Sequence, residues 1–237
     1  MKRLLLSMTA LLTLAAVNAQ TADEIVAKHL DAIGGKEKLS KVTSVYIESG
    51  MEVMGNEAAS KTTILNGKGF RSESDINGQQ LVNVITDKGG WTINPFAGAA
   101  TPAAVTDEVY KSGEDQIYIA PLLNYSERGG KVELLGKEKA GATDLYKIKY
   151  TNKDKAETTY YIDPSTYFIT KAEKKANAMG QEVTITSTFS DYKKNDADFY
   201  MPYTTNIDMG QFAFKVNAKK VEVNKAVDAS IFEMPKK

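Results

Sequence analysis

The sequence contains no cysteine and a single histidine, His29. Lack of cysteine excludes disulfides, thiolate-bound metals, iron–sulfur clusters and a cysteine nucleophile. One imidazole excludes a multi-histidine zinc or haem site within one chain, and a Ser–His–Asp triad would have to use His29. An excess of one charge is also missing, because 30 Lys+Arg balance 30 Asp+Glu. Nucleic-acid binders need a basic surface to displace counterions from phosphates, so that class is set aside. Arginine is scarce, present only as Arg3, Arg71 and Arg128. What remains is globular composition: 237 residues, 42% apolar and 25% charged. That length suits one large domain or two small ones, and β folds often reach it as a single unit.

The N-terminus reads as an export signal spanning residues 1–19. Lys2 and Arg3 supply the charged end, and Leu4 to Val17 is apolar apart from Ser7, Thr9 and Thr13. Val17-Asn18-Ala19 fits a cleavage site, and the apolar run falls short of the roughly 20 residues a spanning helix needs. Cleavage after Ala19 would leave Gln20 first and remove two basic groups, giving a slightly acidic mature chain. No cysteine follows, so that chain has no site for lipoprotein acylation. The expectation is a periplasmic protein of a bacterial envelope, unlipidated, soluble and monomeric. Residues 20–237 contain no Gly/Pro/Ser linker and no fixed-period repeat, so they read as one domain.

The mature chain opens on a helix. Thr21 and Glu24 have capping-box spacing, and Ala22, Ile25, Val26, His29, Leu30 and Ile33 form one apolar stripe before Gly34-Gly35. From Thr43 the period changes to two, as at Val45, Ile47, Met51 and Val53. Asn66-Gly67 and Asn77-Gly78 are hairpin signals, because tight turns need residues that accept positive φ. The rhythm breaks between Ala97 and Gly130, where helix is expected over Ala103–Lys111 and, kinked at Pro121, over Asp115–Tyr125. Strands then resume to Val223. Apolar parity shifts at Lys219-Lys220 in the last strand, which predicts a β-bulge. The pattern gives a mainly β protein with helices (α+β), with a single antiparallel sheet of about 11–12 strands. A sheet this large curls, and helices over its concave face would complete the core.

Reagents for chemistry are few. His29 lies on the apolar stripe, which favours a packed ring bonded to backbone over a catalytic one. Asp87-Lys88-Gly89-Gly90 reads as a hairpin turn and not a phosphate loop. Asn195, Asp196 and Asp198 match no calcium-loop spacing and read as a solvated turn. Lys171, Lys174, Lys175, Lys193 and Lys194 are expected on a solvated strand face. Arg71 follows Phe70 in a half-buried strand and needs bonding partners, which makes it a candidate structural latch. Aromatics on the inner face of a curled sheet either fill a core or line a ligand cavity. The reading is a protein without catalytic residues, metal or cofactor.

Three runs in order carry a resemblance: Phe70-Arg71, then Gly78-Gln79-Gln80-Leu81-Val82, then Asp87-Lys88-Gly89-Gly90-Trp91-Thr92-Ile93-Asn94-Pro95-Phe96. With the later Tyr161-Ile162-Asp163-Pro164-Ser165-Thr166 and Phe189-Ser190-Asp191-Tyr192, they resemble the LolA family of periplasmic lipoprotein carriers. Ile33-Gly34-Gly35-Lys36-Glu37-Lys38-Leu39 and the Asp87-Lys88-Gly89 turn depart from the carrier's own pattern. The Ile33–Leu39 segment looks more like a broader group of LolA-like exported proteins, and the turn has Asp87-Lys88-Gly89 in place of Asp-Gly.

The resemblance implies an unclosed half-barrel whose apolar cavity, under a helical lid, takes acyl chains of lipoproteins or other lipids. Inner- and outer-membrane transfer proteins would be its partners. Cavity residues would then be Phe70, Val82, Val84, Trp91, Ile93, Ile148 and Ile162, joined by Ile185, Phe189, Phe212 and Phe214. Leu122 and Leu123 would belong to the lid, with Arg71 as its latch. Two other readings stand beside it: a sensor or scaffold of the same fold that binds a membrane-protein partner, and a hydrolase whose titratable groups converge inside the barrel.

Overall fold

The computed structural model describes residues 20–53, 55–178, 181–210 and 212–236. The export signal expected over residues 1–19 lies outside them. Helix α1 (Ala22–Ala32) begins where the sequence predicts: Thr21 Oγ1 accepts from the Glu24 amide and Glu24 Oε2 from the Thr21 amide. Its stripe of Ile25, Val26 and Leu30 is buried, each side chain contributing about 1.5–3 kcal/mol. A short α2 (Lys36–Ser40) leads into the sheet.

Six strands meander first: β1 (Ser44–Val53), β2 (Asn56–Leu65), β3 (Gly69–Ile76), β4 (Gln79–Thr86), β5 (Gly89–Asn94) and β6 (Ala99–Ala104). After α3 (Asp107–Gly113) and a 3-10 turn over Glu114–Ile117 come β7 (Lys131–Ala140), β8 (Thr143–Thr151), β9 (Glu157–Ile162) and β10 (Ile169–Ala178). The last three are β11 (Gln181–Lys194), β12 (Tyr200–Asp208) and β13 (Ala213–Val223). The two runs join through β1 and β13, giving one antiparallel sheet ordered β6-β5-β4-β3-β2-β1-β13-β12-β11-β10-β9-β8-β7. Its ends, β6 and β7, remain unpaired with each other, so the sheet is not closed.

Thirteen strands exceed the expected 11–12 because Ala99–Ala104 is an edge strand where helix was expected to begin nearby. An edge tolerates Pro102, which cannot donate to a ladder. The expected helix over Ala103–Lys111 reduces to α3, and Asp115–Tyr125 to the 3-10 turn followed by irregular chain. Asn77 (φ 55°) and Gly78 (φ 78°) form the predicted turn with two positive φ values. The predicted bulge is present as well: Glu48 pairs with Lys220 and Ser49 with Ala218, leaving Lys219 extra.

Curvature follows from which strands meet. Six strand spacings separate β2 from β9, roughly 29 Å in a flat sheet. Yet Ile64 of β2 and Tyr160 of β9 line the same 410 Å³ cavity. The sheet therefore curls around α1 and the chain after α3.

The outer face has its own small core. Val82, Val84 and Trp91 are buried with Phe232, and Leu65, Ile93, Val227 and Ile231 pack against them. The C-terminal segment is tied down by Trp91 Nε1, which donates to the Phe232 carbonyl at 2.9 Å, and by Arg71 Nη1, which donates to the Ile231 carbonyl at 2.9 Å. Gly69 permits this approach, since a Cβ there would lie 2.8 Å from the Phe232 ring.

Candidate functional site

Strand alternation places Val45, Ile47 and Ile64 on the concave face of one arm, and Thr158, Tyr160, Ala172 and Lys174 on that of the other. Between them lies the 410 Å³ cavity, predominantly apolar in lining and within the size range of small-molecule sites. Ile169, Phe189, Tyr192 and Met201 extend its floor. Tyr192 is held by donating to the Ile169 carbonyl at 2.7 Å and stacks on Phe168 at 4.4 Å.

The roof has two parts. His29 comes from α1 and Ile33 from its C-cap, and Tyr118 to Leu122 from the chain after the 3-10 turn. That chain is anchored at several points. The Ile119 amide donates to Asn66 Oδ1 at 3.2 Å, the Gly67 amide to the Ile117 carbonyl at 2.8 Å, and Asn66 Nδ2 to the Val42 carbonyl at 2.9 Å. Arg128 donates to the Pro121 and Leu123 carbonyls and lies over the Tyr118 ring at 3.8 Å. Tyr125 hydroxyl reaches Asp23 of α1.

Few polar groups enter this space. His29 Nδ1 donates to the Tyr167 carbonyl at 2.8 Å. Burial pulls its pKa down to about 4, while the bond to Tyr167 acts the other way, so the ring is neutral at pH 7. Asp115 accepts from Tyr150 hydroxyl at 2.9 Å and from Asn152 Nδ2 at 3.2 Å. Lys174 projects from β10 between Thr158 and Ile185. Desolvation pulls its pKa below the ordinary lysine value, partly offset by the Asp115 carboxylate. A second space of 710 Å³ adjoins the first, sharing Ser112, Gln116 and Lys174, with Glu108, Lys111, Asp154 and Lys155 at its wall.

The expected cavity residues divide between faces and depths. Leu122 and Phe189 line the 410 Å³ cavity, and Ile185 lines the adjoining space. Ile148 and Ile162 lie on the same face but are buried in the core with Leu123. Phe70 pairs with Ile64 and Ile85, also on the concave side. Phe214 lines a separate, more polar space with Glu52, Glu57 and Lys215, and Phe212 is exposed. Val82, Val84, Trp91 and Ile93 are brought together on the outer face, beneath the C-terminal segment. Arg71 is there too, bonded to Glu73 at 2.8 Å and to Ile231, so what it latches is the C-terminal segment. Among residues not anticipated, Tyr160, Ala172 and Lys174 share the parity of Thr158 in paired strands, the one signal that marks them as inward. Lys174 in particular leaves the solvated face expected for it, whereas Lys171 and Lys175 pair with Glu138 and Glu182 outside.

The fold of this chain is similar to those of solved structures. A DUF1329 family protein from Desulfovibrio piger superposes with a TM-score of 0.58 at 13% identity, over 91% of this chain and 98% of that one. A LolA superfamily protein from Nitrosomonas europaea gives 0.58 at 14% identity over 91% and 98%. The chain has the LolA fold. A putative outer membrane lipoprotein-sorting protein domain from Vibrio parahaemolyticus gives 0.56 at 14% identity over 89% and 97%. No protein-family model and no curated protein matches the sequence. At these identities the likeness establishes the LolA fold alone. Among the described residues, no helix is long and apolar enough to cross a membrane.

Proposed function

We propose that the protein is an exported carrier of acyl chains, those of lipoproteins or of other lipids, working without covalent chemistry. The observation that carries this reading is the 410 Å³ apolar cavity held between the two arms of the sheet and the tethered chain from Tyr118 to Leu122. Each CH₂ hidden from water contributes about 0.8 kcal/mol, so a twelve-carbon chain gains on the order of 9 kcal/mol before association costs. An apolar container supplies that energy with no catalyst. A lipoprotein-sorting description attaches to one solved structure of this fold, which supports the same class of ligand. In this reading residues 1–19 are removed as an export signal, and the domain from Gln20 works unlipidated and monomeric in the periplasm. It receives cargo from a membrane-bound donor and yields it to an acceptor.

Titration of the purified protein with a fluorescent acyl probe tests the proposal. Saturable binding, reversed by unlabelled lipid, is expected. Absence of saturable binding by protein shown to be folded by circular dichroism would refute it.

A further inference from the structure

Strand β10 carries three lysines with different surroundings. Lys171 is ion-paired with Glu138 and Glu173, and Lys175 with Glu182. Lys174 points the other way, into the curl of the sheet, between the uncharged cross-strand neighbours Thr158 and Ile185. Among the described residues its ammonium has neither a salt bridge nor a hydrogen bond. The acid that shares its cavity, Asp115, already accepts from Tyr150 and Asn152. A half-buried ammonium facing apolar walls is costly unless something anionic completes it.

Its position is specific. Lys174 belongs to the wall of the 410 Å³ apolar cavity and also to that of the adjoining 710 Å³ space, which is rimmed by charged side chains. Ser112, whose hydroxyl donates to the Val109 carbonyl at 3.0 Å, and Gln116 stand at the same junction, where the Gln116 amide offers a neutral donor. An apolar chamber with one cation at its junction with a space rimmed by charged side chains matches the parts of an amphiphile with one anionic end.

We infer that the cavity takes a long-chain carboxylate, with its chain among Tyr160, Ile169, Ala172 and Phe189 and its carboxylate on the Lys174 ammonium. This rests on the acyl-chain reading above and narrows it: a free fatty-acid anion is preferred over a neutral acyl ester. The Gln116 amide lines the same junction and can donate to the second carboxylate oxygen.

The test uses laurate and methyl laurate, which share a chain and differ in charge, as competitors against a neutral fluorescent probe. The wild-type protein is expected to bind laurate at least about tenfold more tightly than the ester, as befits a charge-assisted hydrogen bond. Lys174→Met removes the ammonium and keeps an unbranched apolar stem. It should lose the preference for laurate over the ester, whereas Lys174→Arg should retain most of it. Equal affinity of wild type for the two competitors would overturn the inference and leave the acyl-chain reading standing. So would an undiminished preference in Lys174→Met. Failure of both competitors to displace the probe would overturn the inference together with the reading beneath it.

Discussion

Replacing Phe232 with alanine separates the two faces of the sheet. The Phe232 ring is 5% exposed and closes the outer core over Val82, Val84 and Trp91. Phe→Ala in a packed core costs about 3–5 kcal/mol, from lost transfer energy and the void left behind. For a domain of this size that corresponds to a fall in Tm of roughly 6–20 °C. Urea unfolding measures the loss directly, and Trp91 supplies a second readout. As the single tryptophan, buried beside Phe232 and donating to its carbonyl, it should shift to longer emission wavelength as the segment loosens. Acyl-probe affinity should stay at the wild-type level, because the cavity lies on the opposite face. A stability change under about 1 kcal/mol with unmoved emission would refute the packing described for the C-terminal segment. Lost probe binding in protein that remains folded would refute the assignment of the two cores to opposite faces.

Two further outcomes follow from the cavity's lining. Ala172→Phe places a ring into the space between Tyr160 and Ser187. It should weaken acyl-probe binding at least about tenfold while costing no more than about 1–3 kcal/mol of stability, the usual range for overpacking; unchanged binding in a titration would move the ligand elsewhere. His29 is held near pKa 4 by burial, below the ordinary value near 6.5. The folded state therefore binds fewer protons than the unfolded state between those values. The stability His29 contributes is fully present above pH 6.5 and is lost as pH falls through 4, amounting to about 3 kcal/mol. His29→Asn can keep a donor for the Tyr167 carbonyl and should flatten that part of the stability–pH curve measured by urea unfolding. A curve with the wild-type slope would contradict the buried, neutral ring.

Much of this architecture is legible where local chemistry is decisive. Thr21 and Glu24 specify the start of α1 by reciprocal capping, Asn77-Gly78 specifies a turn through positive φ, and the parity change at Lys219 marks a bulge. Ala99–Ala104 was less readable, since Ala-Ala-Thr-Pro-Ala-Ala has little β propensity and pairs on one side only. The inner and outer faces of β4 and β5 were ambiguous for a physical reason. Val82 and Val84 face the C-terminal segment while Ile85 faces inward, so apolar residues occupy both faces. Alternation distinguishes faces only when one of them meets water. The segment that covers the outer face comes from some 140 residues later in the chain, where local pattern carries no trace of its partner. Lys174 was obscured similarly. In Lys171-Ala172-Glu173-Lys174-Lys175 the charges suggest a solvated strand, and only the pairing with Thr158 and Ile185 shows which lysine turns inward.

The most direct measurement is mass spectrometry of the organic extract of protein purified from its native envelope without detergent, with a Phe232→Ala sample and an Ala172→Phe sample beside it. Acyl lipid should be recovered at a fixed stoichiometry from wild-type and Phe232→Ala protein and be depleted from Ala172→Phe. Wild-type protein that is folded and carries no acyl lipid, or lipid equally abundant in the Ala172→Phe extract, would contradict a carrier whose cargo lies between the sheet and its lid.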